Sequence, residues 1–227
     1  MKKEHDEYLC KVYPKMMVNR NKNMQETCMC WGFECGDGWF QILNQLMGNI
    51  QHHIDWKVRQ REVAIKFNTM AERLKAGDST LFDEEYKDMI NQEYKEKRKQ
   101  ELIEDPLREI PELIPQVTLD QVKEKFGTLR FYYSGGDDYI SGLVSMAESM
   151  SGVTCEACGN TAETNWPKGE NGGIGGWVRT ICKPCDDKRE AQRAAELAAY
   201  TASKEKTKET KNELNYQFIG EDTGDHD

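Results

Sequence analysis

The chain has 227 residues, of which 37% are hydrophobic and 31% charged, with a formal net charge of −9 at pH 7. That length makes one domain with an extension, or two small ones, around a modest core. The acidic balance argues against a general nucleic-acid or anionic-membrane binder, and no apolar run approaches membrane-spanning length.

The opening Met1-Lys2-Lys3-Glu4-His5-Asp6 leads into no apolar stretch, so no signal peptide is expected. The cysteines fall at metal-type spacings, which points to free thiols in a reducing cytosol rather than disulfides. Residues 1–27 are polar and patchy, with only Tyr8-Leu9-Cys10-Lys11-Val12-Tyr13-Pro14 expected to order. Next comes Cys28-Met29-Cys30-Trp31-Gly32-Phe33-Glu34-Cys35-Gly36-Asp37-Gly38-Trp39-Phe40. Gly36 or Asp37 can cap a helix whose Trp39, Ile42, Leu43, Leu46, Ile50 and Ile54 share one face. The helical pattern continues to Leu74 through Trp56, Ala64, Ile65 and Met70.

Gly77-Asp78-Ser79 breaks that run, and Asp78 or Ser79 caps a second charged helix expected from about Leu81 to Ile103, with Tyr86, Met89, Ile90 and Tyr94 as a thin apolar seam. Residues 51–105 thus read as a projecting, solvated helical hairpin. Pro106, Pro111 and Pro115 force an extended return. Residues 118–126 read two ways: a helix with a Thr118/Gln121 capping box, or the first arm of a hairpin turning at Phe126-Gly127. Thr128 to Tyr133 is a strand with Leu129, Phe131 and Tyr133 on one face. Asp137 or Asp138 then caps a helix lined by Ile140, Leu143, Val144 and Ala147.

Cys155-Glu156-Ala157-Cys158 and Cys182-Lys183-Pro184-Cys185 are the strongest signal in the chain. Two C-x-x-C pairs on a Gly-rich interval are the spacing of a closed tetrahedral Zn2+ site. Gly159, Gly172-Gly173 and Gly175-Gly176 supply turns, and Trp177-Val178-Arg179-Thr180-Ile181 alternates like a strand. Asp186-Asp187 open a helical run from Lys188 to Tyr200. Knuckle, hairpin, second knuckle and helix is the order of a treble-clef-like finger. Iron in a rubredoxin-like setting remains the alternative occupant. Cys28, Cys30 and Cys35, with distant Cys10, form a weaker candidate for a second metal or thiol cluster; the competing reading is small thiols filling a tight Gly-rich turn.

No catalytic residues emerge. His5, His52, His53 and His226 are the only histidines, and none lies between Cys155 and Cys185 as a nuclease of the His-Asn-His type requires. The deaminase signature, phosphate-binding loops and hydrolase elbows are missing too. Around the finger six cations (Lys168, Arg179, Lys183, Lys188, Arg189, Arg193) face seven acids (Glu156, Glu163, Glu170, Asp186, Asp187, Glu190, Glu196), so no basic stripe forms. Arg179, Lys183 and Lys188 stay as candidate nucleic-acid contacts.

The wording at 30–40, Val-Lys-Glu-Lys-Phe-Gly-Thr-Leu-Arg-Phe-Tyr-Tyr at 122–133 and the finger at 155–185 resemble a family of small zinc-finger-containing proteins from tailed bacteriophages and prophages. The resemblance covers most of residues 28–190 and implies expression in the bacterial host cytosol, in host takeover or counter-defence, but no catalytic residue. Members sometimes carry His at the last ligand position, where this chain has Cys185.

The expectation is an α+β fold divided into an N-terminal segment (1–27), an α+β core (28–152), a four-cysteine finger plus helix (153–200) and a disordered acidic tail (201–227). Its function reads first as a non-enzymatic module binding a host or phage protein, next as a nucleic-acid-binding zinc-finger protein, and last as an enzyme of unrecognised type. Oligomeric state is left open.

Overall fold

The computed structural model describes residues 1–167 and 176–220, with side chains described to residue 207. The chain builds helices around two small sheets, one three-stranded and one two-stranded. The N-terminal segment is more ordered than its composition suggests. Helix α1 (Lys3–Val12) buries Leu9, and Met16, Met17 and Met29 join it in the main core. Met16 and Met17 are adjacent and the others stand alone, so no helical or strand periodicity announces them.

A short 3-10 turn (Cys28–Trp31) is capped by Thr27, whose hydroxyl accepts from the Met29 amide at 3.0 Å. Strand β1 (Phe33–Glu34) and a second 3-10 turn (Asp37–Trp39) then lead into α2 (Phe40–Lys75). The expected stripe is buried: Trp39, Leu43, Leu46, Ile50 and Ile54 lie in the main core, with Ile42 packed on it. Farther along, Phe67, Met70 and Leu74 form a separate small cluster with Phe82 and Leu102.

The expected single helix over 81–103 is two helices, α3 (Thr80–Glu85) and α4 (Gln92–Glu104). Asn91 makes the break. Its side chain accepts from the Tyr94 amide at 3.0 Å, so it caps a new helix instead of continuing the old one. The seam moves accordingly: Ile90 is 95% exposed, while Phe82 and Leu102 are buried. The proline connector is pinned to α2 by Arg61 Nη1 donating to the Pro111 carbonyl at 2.7 Å and Asn68 Nδ2 to that of Arg108 at 2.8 Å.

Residues 118–126 take the hairpin reading. Strand β2 (Thr118–Lys125) pairs antiparallel with β3 (Thr128–Ser134) and parallel with β1. A register irregularity between Leu119 and Gln121 interrupts the alternation, which is why the strand looked ambiguous. Val122, Leu129 and Phe131 bury one sheet face against α2 and α5 (Asp138–Ser151). Asp137 caps α5, accepting from the Ile140 amide at 3.0 Å, and also meets His53 Nε2 at 2.9 Å. His53 is half-buried and ties α2 to the start of α5.

The chain closes with β4 (Glu163–Asn165), β5 (Arg179–Ile181) and α6 (Lys183–Gly220). Helix α6 begins before Lys188 and runs past Tyr200, so the expected disorder does not describe residues 201–220. That segment is rich in Lys and Glu, good helix formers even without an apolar stripe. The last residues, 221–227, and Gly172-Gly173, Lys168, Glu170 and Gly175 lie outside the described residues. No described helix is long and apolar enough to cross a membrane.

Candidate metal centre

Two tight turns carry the four thiols. In the first, the Cys155 amide donates to the Asn160 carbonyl at 2.7 Å and the Gly159 amide returns to the Cys155 carbonyl at 2.8 Å. Gly159 takes φ of 80°, a left-handed conformation that a Cβ would strain. In the second, the amides of Cys185 and Asp186 both reach the Cys182 carbonyl at 3.0 Å, placing Cys185 in the first turn of α6. The Glu156 amide donates to the Thr180 carbonyl at 2.9 Å and joins the first turn to β5.

The Sγ atoms of Cys155, Cys158, Cys182 and Cys185 all lie within 4.8 Å of one another. Cys158 and Cys182 approach to 3.6 Å. Tetrahedral metal–sulfur bonds of about 2.3 Å require sulfurs roughly 3.8 Å apart, so the donor set fits one ion. The titration of the cluster agrees. Burial raises the Cys155 thiol, but the amides of Cys182, Cys158 and Ala157 outweigh it and bring it down to about 7. The Cys158 and Cys182 thiols crowding Cys185 push it up to about 12. One thiolate is favoured by its amides, whereas four in so small a volume need a cation among them.

This centre is braced by a segment more than a hundred residues away in sequence. The Gly38 amide donates to the Glu156 carbonyl at 2.7 Å, the Gly36 amide to Glu156 Oε1 at 2.8 Å, and Trp39 Nε1 to the Thr154 carbonyl at 2.8 Å. A Cβ on Gly38 would overlap the Cys155 carbonyl and stand 2.5 Å from the Gly159 nitrogen; one on Gly36 would stand 2.7 Å from Glu156 Cγ. The Gly-Asp-Gly-Trp wording is therefore a backbone dock for the first knuckle. Between the glycines, Asp37 accepts from the Lys2 amide at 2.6 Å and meets His5 Nδ1 at 3.1 Å. Burial would raise its carboxyl, but Lys2 and His5 prevail and hold it below the usual range.

On the other side, fully buried Thr180 donates to the Gly127 carbonyl and lies 2.7 Å from the Thr164 hydroxyl. The β2–β3 turn is thus fastened to the β4–β5 hairpin. Glu156 is pushed upward by burial, with Glu124 adding to the shift and the Gly36 amide and Arg179 opposing it.

The remaining candidates are placed differently. Among the described residues the four-thiol cluster is the one group of three or more potential ligands close enough for a metal, and it does not include Cys10, Cys28, Cys30 or Cys35. Cys35 is buried, which pushes its thiol up to about 12. Cys30 Sγ contacts the Thr27 carbonyl at 3.2 Å, Cys10 faces Asp6, and Cys28 is exposed. Arg179 lies half-buried on β5, Lys183 pairs with Asp187 at 2.7 Å, and Lys188 is exposed on α6.

The His5 and His53 rings are held by Asp37 and Asp137; His5 stacks on Phe40 at 4.0 Å, and His53 lies tilted by 34° against Tyr139 at 4.3 Å. Sequence reasoning missed the bracing roles of Gly36, Gly38, Glu156 and Thr180; the two glycines flanking Asp37 were the available signal. Compared with protein-family models, with curated proteins and with solved structures, the chain matches none.

Proposed function

We propose that this chain is a non-enzymatic binding module in which one structural Zn2+ fixes a recognition surface for a macromolecular partner. The observation that carries this reading is the set of four thiols within 4.8 Å of one another, docked by its backbone onto the main core. Four thiolates close the coordination shell, so no position is left for a reacting water, and a metal there works on folding rather than on chemistry. Zinc is the frequent occupant of sites made from two such knuckles and needs no redox partner. The order of knuckle, β4–β5 hairpin and second knuckle opening α6 supports a treble-clef-like finger. The resemblance to phage and prophage proteins supports a setting in the bacterial cytosol, where a host or phage factor would be the target.

Elemental analysis of the purified chain is expected to give one zinc per chain, and chelation to remove the ordered signal of the lobe in circular dichroism and lower its melting temperature. A chain without metal, or one whose fold ignores the chelator, overturns the reading. Affinity capture from bacterial lysate with and without nuclease then separates the partner classes. A stoichiometric protein that survives nuclease is the result for a protein partner. Nucleic acid is favoured by one specific observation, the chemistry of the open sheet face.

A further inference from the structure

The three-stranded sheet buries one face and leaves the other to solvent. On β2 and β3 the outward positions are Gln121, Lys123 and Lys125, opposite Tyr132, Arg130 and Thr128. None of these six is buried, and Tyr132 is 43% exposed. At the tip the chain turns through Phe126 and Gly127, with φ of 54° and 77°. Two successive left-handed residues in a two-residue hairpin make a type I′ turn, a place for Asn-Gly. A bulky aromatic residue there is an outlier that points to a use beyond folding. The Phe126 ring is not buried to compensate; it is 55% exposed.

Beside it stands Trp177, 68% exposed, just ahead of β5. Phe126, Trp177, Val178, Lys123 and Lys125, with Glu124 between the two lysines, line a cavity of about 350 Å3. That is at the small end of ligand sites, with room for a single base. The turn and the metal lobe are fixed relative to each other, since a Cβ on Gly127 would meet Thr164 Cγ2 at 3.0 Å and Val178 Cγ1 at 3.2 Å.

The charges complete the argument. In a chain of net charge −9, Lys2, Lys15, Lys66, Lys95 and Lys183 are neutralised by carboxylates. The cations of the open face are used otherwise. Lys123 Nζ lies 5.6 Å from the centroid of Tyr132 and Lys125 Nζ 5.5 Å from that of Phe126, while Arg130 donates to the Thr128 hydroxyl and the Leu129 carbonyl. Of the acids on this side, Glu124 is turned to the hairpin and accepts from the Gly127 amide at 2.6 Å, Glu34 accepts from Gln121 at 3.1 Å, and Asp120 accepts from Ser134 at the far end of the strands. Ring faces alternating with ammonium groups match a nucleotide's two demands, a stack for the base and a cation for the phosphate.

We propose that the open β2–β3 face and the Phe126–Trp177 cavity bind single-stranded nucleic acid, with bases stacked on Phe126, Trp177 and Tyr132 and phosphates held by Lys123, Lys125 and Arg130. The proposal rests on the module reading above and names its ligand. A duplex hides its base faces, so it is a poor ligand for such a platform. The residues assigned to stacking and phosphate are not Arg179, Lys183 or Lys188, although the Arg179 backbone lies beside the Gly127 turn.

The test uses the full zinc-loaded chain with fluorescein-labelled oligothymidine and oligouridine of roughly 12 nucleotides, within the site sizes of such platforms, read by anisotropy across a salt series, with duplex DNA as competitor. Binding is expected within the roughly 1–100 µM range of sequence-independent contacts, with a log–log salt slope of about −2 for three phosphates on a single strand. Comparison of the two strands reports whether RNA or DNA is preferred. Phe126→Asn is the decisive variant. Asparagine suits the turn, so melting temperature is expected to stay or rise, while affinity falls roughly 10-fold with the lost stack. Trp177→Ala is expected to weaken binding similarly, Lys123→Gln with Lys125→Gln to flatten the salt slope by about 1.4, and Lys87→Gln to change neither.

No binding at roughly 100 µM chain with one zinc per chain overturns this proposal and leaves the module reading standing. Absence of zinc sinks that reading instead, and absence of both zinc and binding sinks both. Binding that prefers the duplex, or that is indifferent to Phe126→Asn and the lysine pair, also overturns the assignment.

Discussion

The two cysteine-bearing stretches of the chain lie against each other and treat their thiols in opposite ways. In residues 155–185 the backbone turns bring four sulfurs to one point and offer amides to Cys155. In residues 28–35 the sulfurs diverge: Cys28 is exposed, Cys30 meets a carbonyl, and Cys35 is enclosed in the core. Both stretches carry Gly and Trp beside their cysteines, so composition does not separate them. What separates them is that C-x-x-C wraps one turn around one point, whereas C-x-C-x4-C sends its side chains onto different elements. The second stretch serves the first, through backbone rather than sulfur.

The sharpest way to break the contrast is to remove one sulfur from each side. Cys182→Ser is expected to abolish metal binding and, with it, metal-linked folding free energy on the order of 10 kcal/mol; elemental analysis and hydrogen exchange of β4, β5 and the start of α6 read the loss. Gly38→Ala attacks the dock without touching a ligand. Its Cβ overlaps the Cys155 carbonyl, so a destabilisation of about 3 kcal/mol is expected in denaturant melts, accompanied by weaker zinc retention against a competing chelator. Thr180→Val leaves the Gly127 carbonyl buried without its donor and is expected to cost about 2 kcal/mol.

Acid should act more gently, on Asp37 at the dock and on Asp137 at the start of α5. Asp37 and Asp137 carry carboxyls held below their ordinary value, for both against the upward pull of burial: Lys2 and His5 act on the first, His53 and the Ile140 amide on the second. A depressed folded value means that the stabilisation is full above the unfolded carboxyl value of about 3.9 and is lost as pH falls through the lower folded one. Stability curves from pH 6 down to about 2 should therefore steepen below about pH 4, and Asp37→Asn should flatten part of that fall. At the small end, Cys28→Ser is expected to change stability by less than about 0.5 kcal/mol and to leave metal content untouched. A lost ion in Cys28→Ser would mean that the two stretches share a metal after all.

Much of this was legible in the residues. The four clustered thiols, a cap at Asp137 or Asp138, the strand at 128–133 and the stripe from Trp39 to Ile54 all follow from local spacing. What escaped depends on partners distant in sequence. Nothing near Leu9, Met16 or Met29 says that they will be enclosed, because each contributes a single apolar residue from a different turn. Asn91 reads as an ordinary polar residue until its side chain meets the Tyr94 amide. The dock was half visible: glycines flanking Asp37 signal close approach, but not to what. Thr180 offered no signal, since a threonine in a strand is unremarkable until its hydroxyl reaches Gly127.

The bond from Trp39 to Thr154 spans 115 residues, and that distance has a meaning on the ribosome. At about 5–20 residues per second, the indole waits roughly 6–23 s before its acceptor has even been made. For most of that interval the start of α2 and its large apolar stripe are without the β2–β3 hairpin and α5 that cover them, and no complete set of four sulfurs exists to take a metal. Completion of the four-thiol cluster is a late event in the life of each chain, after the last main-core residue, Ala147, has been made, and a nascent chain stalled before Cys182 would hold only half of the donor set.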